Sequence, residues 1–118
     1  MSELWKRKVN GREVLFVNSW RGTRNGFAHD TELFIDGMCY GSNTAHYINR
    51  TWECYCYQTV MRGCVYGLIE RLRERLLRYF KERHNYGRMT AKRREEFEAE
   101  IANNYELELY NRILEELR

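Results

Sequence analysis

Two turn-forming dipeptides constrain the fold of this chain more than any other feature. Asn10-Gly11 and Asp36-Gly37 each separate two short runs that have strand-like composition. Both central residues of a type I′ turn need a positive φ, which Asn, Asp and Gly tolerate. The flanking runs are Leu4–Val9, Glu13–Val17, Glu32–Ile35 and Met38–Tyr40. The sequence therefore predicts an antiparallel β-meander of about four strands over residues 3–41.

The segment Trp20–Asp30, between the two hairpins, has no periodic pattern. It is polar and contains Gly22, Gly26 and two arginines. Because this composition is typical of loops, we predict a polar loop here, with His29 facing solvent beside Asp30.

The second half of the chain has helical periodicity. Apolar residues recur at steps of three and four, which predicts one stripe on a long helix over residues 52–85. The stripe consists of Val65, Leu68, Ile69, Leu72, Leu76 and Tyr79. We expect this helix to begin between Thr51 and Tyr57 and to end at Asn85-Tyr86-Gly87, with Gly87 as a left-handed cap.

A C-terminal helical region is predicted over residues 91–117. Thr90 is a typical N-cap for a helix over Ala91–Ala102, and Asn103-Asn104 is a weak point after it. Helical spacing resumes in the tail, at Leu107, Tyr110, Leu114 and Leu117.

These elements predict an α+β fold, in which an N-terminal antiparallel β-meander packs on a long helix and one or two C-terminal helices follow. A chain of 118 residues without proline has the size of one domain and no rigid linker, so we expect a single domain over 1–118. No apolar run has the length of a secretion signal or a membrane span. We therefore expect a cytoplasmic protein with no membrane association.

The chemistry-bearing residues match no catalytic or metal-binding motif. The four cysteines, at positions 39, 54, 56 and 64, are expected to be reduced thiols. Cys54-x-Cys56, near His46 in sequence, lacks the second knuckle of a structural zinc site, and Cys64 stands in an apolar stretch typical of a core. The chain has neither a phosphate-binding glycine loop nor a nucleophile elbow. We expect no metal, no cofactor and no enzymatic activity.

Charge is distributed very unevenly along the chain. Residues 62–94 contain eleven Lys or Arg and three Asp or Glu, a net charge of +8. Residues 95–118 contain two and eight, a net charge of −6. The overall net charge of +3 therefore conceals a basic helix and an acidic tail.

Two interpretations of this asymmetry are open. In the first, the acidic C-terminal helix packs antiparallel to the basic helix and neutralises it, with help from pairs such as Glu74 and Arg78, four residues apart. In the second, a basic surface is left for phosphate groups, which the planar guanidinium binds well. The candidate binding residues are Arg71, Arg75, Arg78, Lys81, Arg83, Arg88, Lys92, Arg93 and Arg94, with Arg21 and Arg24 of the predicted loop. We expect a monomer, or a homodimer that pairs the basic helix of one chain with the acidic tail of another.

An aromatic cluster stands between the two halves of the chain. It consists of Tyr47, Trp52, Tyr55, Tyr57 and Tyr66, with Arg50 and Arg62 interleaved. Such side chains stack on nucleobases in some proteins, and in others they form a core seam with their hydroxyls at its rim. We favour the core seam here.

Several segments resemble a family of small accessory proteins found in prophages and conjugative elements of Gram-positive bacteria. The resemblance covers roughly residues 25–101, and its most specific part is Tyr47-Ile48-Asn49-Arg50-Thr51-Trp52-Glu53. The other matching segments are Asn25–Asp30, Leu33–Gly37, Tyr57–Met61 and the helix start Thr90-Ala91-Lys92. The resemblance implies no site residues, but it implies a context: small accessory proteins of mobile elements often bind a host factor, and inhibitors of CRISPR nucleases are one such group.

Two functional hypotheses follow. The first is a non-enzymatic binding protein of a phage or mobile element that binds a host protein or nucleoprotein, most concretely as an inhibitor of a CRISPR-Cas nuclease. The alternative is a small regulatory module that binds DNA or RNA through the basic helix.

Overall fold

The computed structural model describes residues 2–49 and 61–118. A four-stranded antiparallel sheet is followed by three helices, so the predicted α+β class is confirmed. The strands follow the order of the chain across the sheet. They are β1 (Ser2–Val9), β2 (Arg12–Thr23), β3 (Gly26–Ile35) and β4 (Met38–Ile48).

Both predicted type I′ turns are present. The φ angles are 50° and 77° at Asn10 and Gly11, and 50° and 81° at Asp36 and Gly37. At the second turn, the Asp36 carboxylate accepts a hydrogen bond from the backbone N–H of Glu13 at 2.9 Å and pairs with the Arg12 guanidinium. These two bonds hold the pKa of Asp36 below its usual value, the backbone bond being the larger cause. The turn between β3 and β4 is thus tied to the start of β2.

The polar loop predicted over Trp20–Asp30 does not exist. Strand β2 continues to Thr23, β3 begins at Gly26, and residues 24 and 25 form a tight turn between them. The prediction failed because polar residues occupy buried positions in and beside this segment. Asn18, His29 and Thr31 stand where hydrophobic side chains would have revealed an alternating strand.

The sheet buries one face, and its core lies in the middle of the sheet. Val14, Phe16, Leu33 and Ile35 are completely buried, and they pair across β2 and β3 as Val14 with Ile35 and Phe16 with Leu33. Burying side chains of this size stabilises the fold by roughly 1.5–3 kcal/mol each. The apolar pairs between β2 and β3 fix the register of the two strands, and this register brings Asn18, His29 and Thr31 together.

The helical part begins, in the described residues, with a π-helical turn over Met61–Tyr66. The helices are α1 (Gly67–Arg83), α2 (Ala91–Ala102) and α3 (Tyr105–Leu117), with a short 3₁₀ turn over Tyr86–Arg88 between α1 and α2. The predicted start of the long helix, between Thr51 and Tyr57, lies outside the described residues. In α1 the residues of the predicted apolar stripe are buried from Leu68 to Leu72. Burial decreases towards the end of the stripe, where Tyr79 is 52% exposed.

The end of α1 differs in one detail from the prediction. The left-handed residue is Asn85, with φ 54° and ψ 46°, whereas Gly87 lies inside the 3₁₀ turn. Asparagine tolerates this conformation because its short polar side chain can bond locally. The chain therefore reverses two residues earlier than the glycine suggested.

The two C-terminal helices begin as predicted. The Thr90 hydroxyl accepts a hydrogen bond from the backbone N–H of Arg93 at 3.2 Å, and α2 ends at Ala102. The predicted weak point is a real break, because Asn104 caps α3. Its side-chain oxygen accepts from the backbone N–H groups of Glu106 at 3.0 Å and Leu107 at 3.2 Å.

Replacing this cap is expected to weaken the C-terminal part of the fold. Asn104→Ala should lower the free energy of unfolding by about 1 kcal/mol, because two N–H groups of α3 lose their acceptor. Urea denaturation followed by circular dichroism measures the change. Asn103→Ala is the matched control, since the Asn103 side chain makes only a 3.4 Å bond to the Ala99 carbonyl. Equal losses in the two variants would show that Asn104 does not act as a cap.

The chain divides into two compact units, one within residues 1–68 and the other from Ile69 to Arg118. The first contains the sheet and the π-helical turn, whose Cys64 carbonyl accepts a 3.5 Å bond from the side chain of Asn43 on β4. The second contains nearly all of α1, with α2 and α3. Within the described ranges, no helix combines the length and apolarity that a bilayer span requires. The single-domain assignment stays a prediction.

Candidate anion-binding groove

An open groove of about 560 Å³ lies in the second unit, along the C-terminal half of α1 and the turn that follows it. We call it the α1 groove. It is lined by Glu74, Leu77, Arg78, Lys81, Glu82, Asn85, Tyr86, Gly87 and Arg88. Three of these side chains are cationic and two are anionic, so the groove is polar, with a slight excess of positive charge.

Two of the groove cations have no partner among residues 2–49 and 61–118. The exposed side chains of Arg78 and Arg88 make no ion pair or hydrogen bond to any residue within 2–49 or 61–118. The pair expected between Glu74 and Arg78 is therefore not formed, although their spacing on the helix would permit it. The described residues leave both guanidinium groups without an anion, which makes Arg78 and Arg88 candidates for an anionic partner.

The wall of the groove at the 3₁₀ turn is built around Tyr86. Lys81 lies 4.7 Å from the centre of its ring and Arg94 lies 5.1 Å from it, while its hydroxyl donates to the Glu98 carboxylate. The bond to Glu98 raises the pKa of the Tyr86 hydroxyl above its usual value. Arg94 also donates to the carbonyls of Tyr86, at 3.1 Å, and Gly87, at 2.9 Å. These contacts join the turn to α2 and fix the position of the ring.

The candidate arginines of α2 form ion pairs or hydrogen bonds with other residues of the protein. Arg94 holds the turn, and Arg93 pairs with Glu100 at 3.0 Å and Glu96 at 3.6 Å. The bond to Glu100 is the main reason that the pKa of Arg93 is raised. Neither side chain lines the α1 groove. Lys92, between Thr90 and these arginines, is exposed and has no partner in the part of the chain that the structure describes.

The candidate residues of α1 fall into three groups. Arg78 and Lys81 line the groove. Arg75, three residues before Arg78, is exposed and likewise has no partner among residues 2–49 and 61–118. Arg83 donates to the Tyr79 hydroxyl at 2.9 Å, and Arg71 is exposed on the first turns of the helix.

The charge pairs of the acidic tail are mostly local. Arg93 of α2 pairs with two glutamates of the same helix, and Arg112 of α3 pairs with Glu115 at 3.2 Å and Glu116 at 3.8 Å. Between α1 and α3, Arg73 donates to the neutral amide of Asn111 at 3.1 Å. These contacts pair four of the eight glutamates of the tail with an arginine of their own helix, Arg93 on α2 or Arg112 on α3. This arrangement favours the interpretation in which the basic helix is left for a partner.

The two candidate arginines of the sheet lie in different environments. Arg21, on β2, pairs with Asp30 at 3.3 Å, and Asp30 also accepts from the Thr44 hydroxyl at 2.6 Å. The Thr44 bond is the main cause of the lowered pKa of Asp30. Arg24, in the turn, lines a smaller cavity of about 250 Å³ with Thr23, Asn25, His46, Tyr47 and Ile48.

A buried polar network in the sheet was missed by the sequence analysis. His29 is completely buried, and not the solvent-facing loop residue that we predicted. Its Nε2 lies 2.9 Å from the side-chain nitrogen of Asn18, and its Nδ1 lies 3.3 Å from the Thr31 hydroxyl. Thr31 in turn bonds the thiol of Cys64, which is buried as predicted. Burial raises the pKa of the Cys64 thiol. His29 is thus a core histidine with a polar neighbour at each ring nitrogen.

The aromatic cluster predicted between the two halves is only partly described. Residues 50, 52, 55 and 57, and the side chain of Arg62, lie outside what the structure describes. Tyr47 stacks on Phe27 with ring centres 4.5 Å apart, and Trp20 meets the edge of Phe27 at 5.7 Å. Phe27 and Trp20 belong to the segment predicted as a loop, so the predicted aromatic cluster did not include them.

Comparisons of the chain with models of protein families, with curated proteins and with solved structures found no match. The resemblance to accessory proteins of prophages and conjugative elements therefore stays an expectation from the sequence.

Proposed function

We propose that this chain is a non-enzymatic module that binds nucleic acid through the α1 groove. The proposal is carried by one observation: Arg78 and Arg88 line a groove and have no ionic or hydrogen-bonding partner in residues 2–49 and 61–118. Two unpaired guanidinium groups in one groove are a suitable site for phosphate, which their planar fork binds with two parallel bonds.

The surrounding charges extend the site beyond one phosphate. Arg75 precedes Arg78 on α1, and Lys92 stands at the start of α2; both are exposed. Phosphates repeat along a nucleic acid, so a site with several cations suits a polymer better than a single small anion. Binding of this kind releases counterions and depends steeply on salt.

The first test is binding of labelled single- and double-stranded DNA and RNA, followed by fluorescence anisotropy. With four phosphate contacts, at Arg75, Arg78, Arg88 and Lys92, the affinity for a single strand should fall about fiftyfold between ~50 and ~200 mM salt. Arg78→Ala should lower the affinity about tenfold for all sequences alike and make the salt dependence shallower.

Arg93→Ala is the matched control for Arg78→Ala. It removes the same charge from the same unit, but Arg93 is already paired with Glu96 and Glu100. We expect it to change the affinity less than twofold, roughly, because only long-range attraction is lost. Absence of binding at the lower salt concentration, or equal losses in the two variants, would refute the proposal.

A protein partner is the second candidate function, and the exposed end of the sheet favours it. Trp20 is 46% exposed, and tryptophan is enriched among residues that dominate protein interfaces. A host protein or nucleoprotein, with a CRISPR nuclease as the most concrete case, would bind with a shallower salt dependence and would require Trp20. Capture of purified CRISPR nucleases by the chain and by Trp20→Ala tests this candidate.

A further inference from the structure

The α1 groove contains two carboxylates that phosphate binding does not require. Glu74 and Glu82 line it together with Arg78, Lys81 and Arg88. The carboxylates of Glu74 and Glu82 make no ion pair or hydrogen bond within the described part of the chain. A groove that held only a row of phosphates would place anions against these two acids, which repel them.

The natural partners of unpaired carboxylates are N–H donors. An ionised carboxylate only accepts hydrogen bonds, and its two oxygens suit two parallel donors. A ligand of this groove must therefore present anionic groups to Arg78 and Arg88 and N–H groups to the acids. A nucleotide does both, since its phosphate is anionic and its base carries N–H donors.

A double helix presents phosphates but few free N–H donors to such a groove, because the Watson–Crick donors of its bases are used in base pairs. In a single strand the bases are unpaired, and proteins read their Watson–Crick edges. Guanine presents two adjacent donors on that edge, N1–H and the N2 amino group, which match the two oxygens of one carboxylate. The other bases present a single donor group there, so guanine fits the acids best.

The groove has the size for one nucleotide, and its aromatic ring is already contacted by cations. Its volume of about 560 Å³ lies in the range of sites for small molecules. The ring of Tyr86 is approached by Lys81 at 4.7 Å and by Arg94 at 5.1 Å. These cations compete with a base for the faces of the ring, so we expect a base to be read by its edge. Edge reading discriminates between bases, whereas stacking tolerates all of them.

We propose that the α1 groove holds one nucleotide of a single-stranded nucleic acid, with its phosphates on Arg78 and Arg88 and a guanine edge on Glu82 or Glu74. This inference rests on the proposed nucleic-acid function and specifies its ligand. A bidentate contact of this kind favours the matching base by about tenfold.

The test uses short oligothymidines that carry a single central guanine, adenine or cytosine, each as a single strand and as a duplex. The full chain should bind the guanine strand about tenfold more tightly than the other strands, and more tightly than any duplex. The double variant Glu74→Gln/Glu82→Gln should lose the guanine preference. It should bind the other strands as well as before or better, because two negative charges have been removed.

A control variant removes the same charge outside the groove. Glu95→Gln/Glu108→Gln neutralises two exposed acids, on α2 and α3, and should keep the guanine preference. Failure of the chain to bind any oligonucleotide would overturn the proposed function and this inference with it. Binding without a preference for single strands and guanine, or an unchanged preference in Glu74→Gln/Glu82→Gln, would overturn this inference and leave the proposed function standing.

Discussion

The double charge reversal Arg78→Glu/Arg88→Glu is expected to weaken binding of a single-stranded oligonucleotide at least about 100-fold at low salt. A hydrogen bond to a charged group contributes roughly 1.5–3 kcal/mol, and each tenfold in affinity corresponds to about 1.4 kcal/mol. Losing two such bonds accounts for the 100-fold effect, and the introduced carboxylates add repulsion. Fluorescence anisotropy at constant salt measures the change.

The control for this variant has the same net charge. Lys6→Glu/Lys8→Glu reverses two exposed cations of β1. Lys6 pairs with Glu13 at 3.1 Å, and a surface pair of this kind contributes about 0–1 kcal/mol to stability, so the control should remain folded. If both double variants lose affinity to the same extent, net charge governs the binding and the α1 groove is not the site. Thermal unfolding of both variants verifies that they are folded.

Local sequence signals predicted much of the fold. Asn10-Gly11 and Asp36-Gly37 located two hairpins because the required positive φ angles restrict which residues occupy a type I′ turn. Thr90 located the start of α2 because a hydroxyl at that position satisfies a free backbone N–H. Each of these signals involves residues within a few positions of one another, which is why a single sequence reveals them.

The failures have a common physical cause, which is contact between residues distant in sequence. The hairpin between β2 and β3 was missed because its buried residues, Asn18 and His29, satisfy each other across the sheet. Both residues are polar, so neither contributes to an alternating hydrophobic pattern in the sequence. The burial of a polar side chain depends on its partner, and the partner is known only from the fold.

The sequence named eleven candidate binding residues but did not indicate which of them share one groove. The excess of positive charge in residues 62–94 located the region, but composition gives arginines no individual roles. The structure separates Arg78 and Arg88, which line the α1 groove, from Arg93 and Arg94, which are held by glutamates and by backbone carbonyls. Even the i, i+4 spacing of Glu74 and Arg78 was misleading, because rotamers and nearby groups decide whether such a pair forms on an exposed helix.

The buried histidine makes the stability of the protein depend on pH near neutrality. The Asn18 side-chain amide lies 2.9 Å from Nε2 of His29 and the Thr31 hydroxyl lies 3.3 Å from Nδ1, so each ring nitrogen has a polar neighbour in the core. Protonation of the ring would place a positive charge in the core, away from water. Burial lowers the pKa of His29 below its usual value of 6.5, and the nearby charge of Asp30 opposes this shift only in part.

The direction of the effect follows from proton linkage. Below about pH 6.5 the unfolded chain takes up a proton at His29, whereas the folded protein takes it up only at lower pH. The free energy of unfolding should therefore fall with decreasing pH, by at most about 1.4 kcal/mol per pH unit for one group. The carboxyls of Asp30 and Asp36 have lowered pKa values, so they contribute to the pH dependence of stability at more acidic pH. The Cys64 thiol, whose pKa is raised, contributes to it at alkaline pH.

We expect the free energy of unfolding to fall between roughly pH 7.5 and 5.5, by at most about 1.4 kcal/mol, as measured by urea denaturation across that range. His29→Gln should be less stable than the natural chain at pH 7.5 but should lose most of the pH dependence, because glutamine retains hydrogen-bonding groups and does not titrate. His46→Gln, on the exposed face of β4, should keep the dependence, since it leaves the buried ring in place. A His29→Gln variant that retained the full slope would show that another group is responsible, and that the network of Asn18, His29 and Thr31 does not control stability in this range.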